Sequence, residues 1–183
     1  MEIYIIRHTT PDIEKGICYG QSDLDVANSF ESEVSQILRK VTSNTDTKVY
    51  SSPLKRCTKL ASKFSNEIIT DDRLMEINFG DWELKKWDDI PRKESDPWMN
   101  DFVNVTTPNG ETYKEMFQRV NEVFSEITSK NEAKKIIIAT HGGVIRCILS
   151  KLKNISLQNS FDIKVEYGDV FKILKQNNTF TIV

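Results

Sequence analysis

This chain has only two imidazoles, His8 and His141, and each stands just beyond a run of residues that reads as a β-strand. His8 follows residues 3–6 and His141 follows residues 136–140. Arg7 precedes His8, and Arg56 falls in the first turn of the helix expected after a second strand. Strand ends in a parallel sheet face one edge, where ligands of open α/β sheets bind. The four side chains can therefore converge. Two planar guanidinium forks match the oxygens of a phosphate dianion. A helix opening at Gly142-Gly143 aims its N-terminal amides at the same place. An imidazole with an ordinary pKa of about 6.5 is largely unprotonated near neutrality, and two adjacent guanidinium charges push it lower. A neutral His8 can then attack phosphorus while Arg7, Arg56 and His141 hold the oxygens, with no metal ion and no cofactor required.

The leaving alcohol of a phosphate ester needs a proton. Glu76, in Leu74-Met75-Glu76-Ile77-Asn78-Phe79-Gly80, is the best acid by type and place. It could next activate water as a carboxylate. Glu83 and Glu111 are rivals by type. The lysines at 85 and 86 make Glu83 read as part of a solvated face, and a helix start explains Glu111 by capping. Gly142, Gln21 and Ser22 are further candidates for contact with substrate, although Gln21, Ser22 and Asp23 equally suit a turn. Trp82, Trp87, Trp98 and Tyr19 either stack on a heteroaromatic substrate or, the more usual fate, pack in the core or at a rim.

Hydrophobic periodicity supplies the elements that must place these residues. Strands are expected at 2–6, 48–51, 67–70 and 135–140, with antiparallel edge strands within 165–174 and 180–183. Apolar residues at helical spacing mark helices from Phe30 to Val41, from Leu54 to Phe64 and from Tyr113 to Ile127. Ser52-Pro53 reads as the cap and first residue of the second of these. Prolines 91, 97 and 108 break the stretch 71–109 into short helices and loops. Alternating strands and helices imply one domain, 1–183, built as a three-layer α/β/α sandwich on a mostly parallel, roughly six-stranded sheet.

Composition excludes several other functions. A net charge of −2 gives no bulk positive surface for nucleic acid, and no apolar run nears the ~20 residues that span a bilayer. The N-terminus reads as a strand without a signal-peptide cleavage site, so a cytoplasmic location is expected. Cys18, Cys57 and Cys147 are an odd number without a CxxC pair, which suits a reducing compartment. A Cys18–His8 nucleophile pair lacks a residue placed to orient the base. The cysteines and histidines lack zinc-site spacing, and no GxGxxG or GxxxxGK[ST] is present.

Taken together, Arg7-His8-Thr9, Ser51-Ser52-Pro53-Leu54-Lys55-Arg56, Glu76-Ile77-Asn78-Phe79-Gly80-Asp81-Trp82-Glu83 and His141-Gly142-Gly143-Val144-Ile145-Arg146 resemble the histidine phosphatase superfamily, also called phosphoglycerate mutase-like. The resemblance implies His8 as the phosphorylated residue, Arg7, Arg56 and His141 in the phosphate pocket, and Glu76 as proton donor. Within it, Arg7-His8-Thr9-Thr10-Pro11 and Gly16-Ile17-Cys18-Tyr19-Gly20-Gln21-Ser22-Asp23 look most like the α-ribazole phosphatase branch, which removes the 5′-phosphate of α-ribazole phosphate in cobalamin assembly. From its short length the chain is expected to lack the central insertion and C-terminal tail with which mutases of the family shield the phosphoenzyme, which favours a phosphatase. The expected partner is thus a small-molecule phosphate ester. A sugar or glycerate phosphatase, a phosphoglycerate mutase and a non-catalytic phosphate-binding module are the alternatives, and the sequence is compatible with monomer or homodimer.

Overall fold

Six strands form one sheet in the order β3-β2-β4-β1-β5-β6. They are β1 (Glu2–Arg7), β2 (Thr47–Ser51), β3 (Ile68–Thr70), β4 (Lys135–Thr140), β5 (Val170–Gln176) and β6 (Thr179–Ile182) in the computed structural model, which describes residues 1–130 and 133–183. The first four are mutually parallel. β5 runs antiparallel to β1, and β6 antiparallel to β5.

Alternation along the strands sorts side chains to two faces. Ile3, Ile5, Ile136 and Ile138 pack against helices α4 (Tyr113–Ser129) and α5 (Gly142–Lys153). Tyr4, Ile6, Ile137 and Ala139 pack against α1 (Phe30–Lys40) and α2 (Lys55–Ala61) on the other side. Both faces are covered, which explains why β1 and β4 are apolar almost throughout. Each fully buried isoleucine contributes roughly 1.5–3 kcal/mol by area. The three-layer α/β/α arrangement is the expected one. No helix among the described residues is long and apolar enough to cross a membrane.

Several boundaries differ from expectation, each for a local reason. Ser52 does not cap α2. Its N–H donates to the Ala139 carbonyl at 3.0 Å, extending the ladder past β2, and the helix starts at Lys55 with extended Leu54 before it. Glu111 does not cap α4 either, because Thr112 and Glu115 form a reciprocal capping box there. Residues 165–169 form a turn rather than a strand, with Gly168 at φ +73° and the Glu166 N–H held by Asp169 Oδ2 at 2.7 Å. β5 and β6 finish one side of the sheet as the expected antiparallel strands, with β6 outermost. The stretch 71–109 holds three short 3-10 turns and α3 (Arg92–Asn100). It closes on a small apolar cluster of Cys18, Trp82, Ile90 and Trp98.

Candidate active site

β1 and β4 are neighbours in parallel register, with Arg7 opposite Thr140, so the residues just after them emerge side by side. The His8 N–H continues the ladder to the Thr140 carbonyl at 2.9 Å. The imidazoles of His8 and His141 consequently meet edge to face, their centroids 5.1 Å apart. β2 ends beside β4, which brings Ser52 and the first turn of α2 to the same edge.

His8 is buried, and its Nδ1 lies 2.7 Å from the Thr9 carbonyl oxygen. A carbonyl can only accept, so Nδ1 carries the hydrogen and Nε2 keeps its lone pair. The pKa of His8 is held well below the ordinary value, first by burial, then by Arg56; the Thr9 carbonyl opposes this and Arg7 adds to it. Burial therefore exceeds the guanidinium charges that the sequence suggested as the cause. His141 is likewise held neutral by burial and then by Arg56. Its Nε2 sits 2.8 Å from Ser52 Oγ, which accounts for the hydroxyl that α2 does not use as a cap.

Arg7 donates from Nη1 to the Val165 carbonyl at 2.6 Å and lies 3.9 Å from the centre of the Tyr167 ring. Arg56 is fully buried and gives Nη1 to the Ser22 carbonyl at 2.7 Å and Nη2 to the Gly20 carbonyl at 2.6 Å. The Nε of each arginine is buried without a partner, and among the described residues neither arginine forms an ion pair with a carboxylate. Two guanidinium groups at one site with no carboxylate to neutralise them invite an anion.

The loop whose carbonyls hold Arg56 is itself tied down by Glu83. That carboxylate accepts from the N–H groups of Gly20, Gln21 and Ser22 at 3.0, 2.9 and 3.1 Å, and from the Ser22 hydroxyl. Burial pushes the Glu83 carboxyl up, but these bonds together outweigh it and hold the group below its ordinary value. Glu83 is thus a half-buried anchor and not part of a solvated face. Gly20 must be glycine here, because a Cβ would lie 1.8 Å from the Ile77 carbonyl oxygen.

Glu76 reaches the site from the other side. Its Oε1 accepts from the Ile77 N–H and its Oε2 from the Gly143 N–H, each at 3.0 Å. A Cβ on Gly143 would stand 2.2 Å from Glu76 Oε1, so the second glycine admits the carboxyl. One of the amides at the start of α5 is consequently taken by Glu76 and not left for a ligand.

Arg7, His8, Arg56, Glu76, His141 and Gly143 line one cavity of about 240 Å³. Gly142, Gln21 and Ser22 do not line it. A Cβ on Gly142 would stand 3.1 Å from Arg146 Nη1, Gln21 donates from Nε2 to the Glu76 carbonyl at 3.1 Å, and Ser22 is bonded to Glu83. The same cavity is lined by the aromatic side chains of Tyr19, Trp87, Trp98, Phe102, Tyr113 and Phe161, and Arg146 sits over Phe161. Trp82 is instead core. Tyr19 and Tyr167 touch hydroxyl to hydroxyl at 2.6 Å, and the Tyr167 ring centre is 5.5 Å from that of His8. Tyr167, Arg146 and Phe161 had no assigned role in the sequence; only the Arg146 position within the His141-Gly142-Gly143 block hinted at one. Cys18 lies in the tryptophan cluster. The thiol that touches a histidine is Cys57, 3.5 Å from His141 Nε2, and burial pushes it up to about 12, so it is no thiolate at neutrality. Among the described residues no three His, Cys, Asp or Glu are grouped to hold a metal ion.

Two histidines buried uncharged have a consequence for stability. The unfolded chain takes up their protons near pH 6.5, above the folded pKa values, so stability is complete above about pH 6.5 and falls below it. The expected slope is about 1.4 kcal/mol per pH unit for each histidine. Urea melts between pH 7.5 and 5.5 measure it, and a flat profile across that range would contradict the burial of both rings as neutral species.

Residues 3–183 match the family model "Histidine phosphatase superfamily (branch 1)". The chain is 26% identical over 189 residues to "Putative phosphoserine phosphatase 2" of Hydrogenobacter thermophilus, spanning 99% of this chain and 93% of that one. It is also 26% identical over 187 residues to "Probable phosphoglycerate mutase GpmB" of Escherichia coli, spanning 92% and 86%. The solved structure of the alpha-ribazole phosphatase from Shigella flexneri superposes with a TM-score of 0.88 at 21% identity, covering 100% of this chain and 95% of that one. At that identity the likeness is one of fold.

Proposed function

The chain belongs to branch 1 of the histidine phosphatase superfamily, and on that premise we propose that it is a metal-independent phosphomonoesterase that carries the phosphoryl group on His8. The observation that supports this best is the bond from His8 Nδ1 to the Thr9 carbonyl, within a cavity where two guanidinium groups each keep a buried Nε unpartnered. In this reading Nε2 attacks phosphorus and the bond to the ester oxygen breaks. Glu76, acting as general acid, passes its proton to the departing alkoxide. The resulting carboxylate then takes a proton from water, whose oxygen displaces His8 and releases inorganic phosphate. Arg7, Arg56 and His141 hold the oxygens that do not react. Gly142 leaves room for Arg146, and Gln21 and Ser22 act through the loop that grips Arg56.

The substrate we propose is α-ribazole 5′-phosphate. A heteroaromatic leaving group fits a cavity lined by several aromatic rings, and stacking of that kind contributes about 0.5–1.5 kcal/mol per pair beyond burial. Arg146 favours a second reading, since a third guanidinium on the same cavity suits the carboxylate of a phosphoglycerate or of phosphoserine. A panel of α-ribazole 5′-phosphate, phosphoserine and 3-phosphoglycerate separates the two. We expect kcat/KM for the first to exceed the others by about tenfold or more, the equivalent of ~1.4 kcal/mol. A preference for either acidic ester overturns the substrate, transfer to an acceptor faster than release to water indicates a mutase, and no release from any ester indicates a binding module.

A further inference from the structure

We infer that Arg119, which bonds the backbone of the Glu76 segment without lining the cavity, is a positioning residue for the proton donor; this rests on the reading of Glu76 given above. Arg119 projects from α4 and does not line the cavity; it lies at a separate recess with Arg73, Met75, Asn78 and Glu111. All five of its N–H donors are engaged. Nη1 donates to the carbonyls of Arg73 and Met75 at 2.9 and 2.7 Å. Nη2 donates to the Glu76 carbonyl at 3.0 Å and to Glu111 Oε1 at 2.5 Å, and Nε donates to Glu111 Oε2 at 2.9 Å.

The segment held in this way has little structure of its own. After a single 3-10 turn at Asp72–Leu74, residues 75–79 belong to no helix or strand, so no regular element fixes the direction of Glu76. Arg119 holds three of the segment's carbonyls on one rigid guanidinium plane, and the Gln21 bond to the Glu76 carbonyl and the Gly143 bond to its carboxylate add to that hold. Glu111 completes the clamp by accepting the Asn78 N–H at 2.9 Å, two residues beyond Glu76. The ion pair is only 19% and 17% exposed, so water competes weakly for these donors. A carboxyl must sit within hydrogen-bond reach of the ester oxygen to transfer its proton, and a displacement of about 1 Å at a reacting group can lower a rate by about 10²-fold. Arg119 thus controls a step whose atoms it never touches.

Leaving-group dependence tests this directly, because nitrophenolate departs readily without a proton and a benzyl alkoxide does not. The measured quantity is kcat/KM, which reports only the steps up to release of the alcohol, so the later activation of water by Glu76 does not enter. Glu76→Gln sets the signature: a loss of about 10²–10⁴-fold on benzyl phosphate and much less on p-nitrophenyl phosphate. Arg119→Lys keeps the charge opposite Glu111, but a single ammonium cannot span three carbonyls. It is expected to lower kcat/KM on benzyl phosphate by about 10–100-fold, changing p-nitrophenyl phosphate less than about threefold, and to add little in the Glu76→Gln background. Should Arg119→Lys not fold, Glu111→Gln, which keeps an acceptor for the Asn78 N–H, is expected to give the same selective loss. Equal losses on both esters, or none, in the variant that folds overturn the clamp. If Glu76→Gln itself shows no leaving-group selectivity, the acid assignment fails and the clamp with it.

Discussion

His8→Ala is expected to yield a folded protein that hydrolyses phosphate esters about 10⁴-fold more slowly than wild type, or worse. Loss of a nucleophile is not repaired by neighbours, and removal of one member of a catalytic set commonly abolishes most of its action. Neither nearby group can replace it. His141 is engaged with Ser52 and Cys57, and the Cys57 thiol is pushed up to about 12. The fold should survive, because the side chain makes one hydrogen bond, to the adjacent Thr9 carbonyl, and loss of such a bond costs about 0.5–1.5 kcal/mol. The wild-type protein quenched during turnover should carry an acid-labile, base-stable phosphoryl label that the variant lacks. An unchanged rate in the variant would remove His8 from the chemistry altogether.

Arg56→Met tests the electrostatic half of the site. Arg56 is fully buried, holds two backbone carbonyls and keeps its Nε unpartnered. A buried cation without a carboxylate partner is costly in the empty protein, and a bound phosphate relieves that cost. Inorganic phosphate should therefore raise the Tm of the wild-type protein, by the equivalent of about 2.7 kcal/mol at a hundredfold excess over Kd. Most of that rise should vanish in Arg56→Met, and kcat/KM should fall by about 10²–10³-fold or more, as expected when a preorganised donor to developing charge is lost. The carbonyls of Gly20 and Ser22 lose their donor in the variant while a buried charge disappears. These effects oppose each other, which leaves the stability without phosphate within about 2 kcal/mol of wild type. A phosphate-induced rise that persists in Arg56→Met would mean that the anion binds elsewhere.

The clamp on Glu76 and the anchor under Arg56 share a design. In both, a residue that touches the cavity is aimed by a half-buried ionised group that does not: Arg119 with Glu111 in one case, Glu83 in the other. Loops have no internal ladder to hold a direction, so their backbone groups must be satisfied by side chains from elsewhere. Both supports come from residues whose charge alone gave no sign of the role.

From sequence alone came the sheet, both helical layers and the convergence of Arg7, His8, Arg56 and His141. Those followed because strands β1 and β4 are apolar on both faces, and because the ends of parallel strands share an edge. Hydrophobic periodicity reports how an element is buried, and topology then limits where its end can lie. Tertiary structure alone decided the tautomer of His8, the diversion of Ser52 from capping to His141, the anchoring role of Glu83, and the aromatic wall with Arg146. Each depends on a partner far away in the chain, 89 residues for Ser52 and His141 and about 60 for Glu83 and its loop. Local pattern carries no record of such pairings, since a buried hydrogen-bonding group takes whichever partner the packed layers bring within about 3 Å.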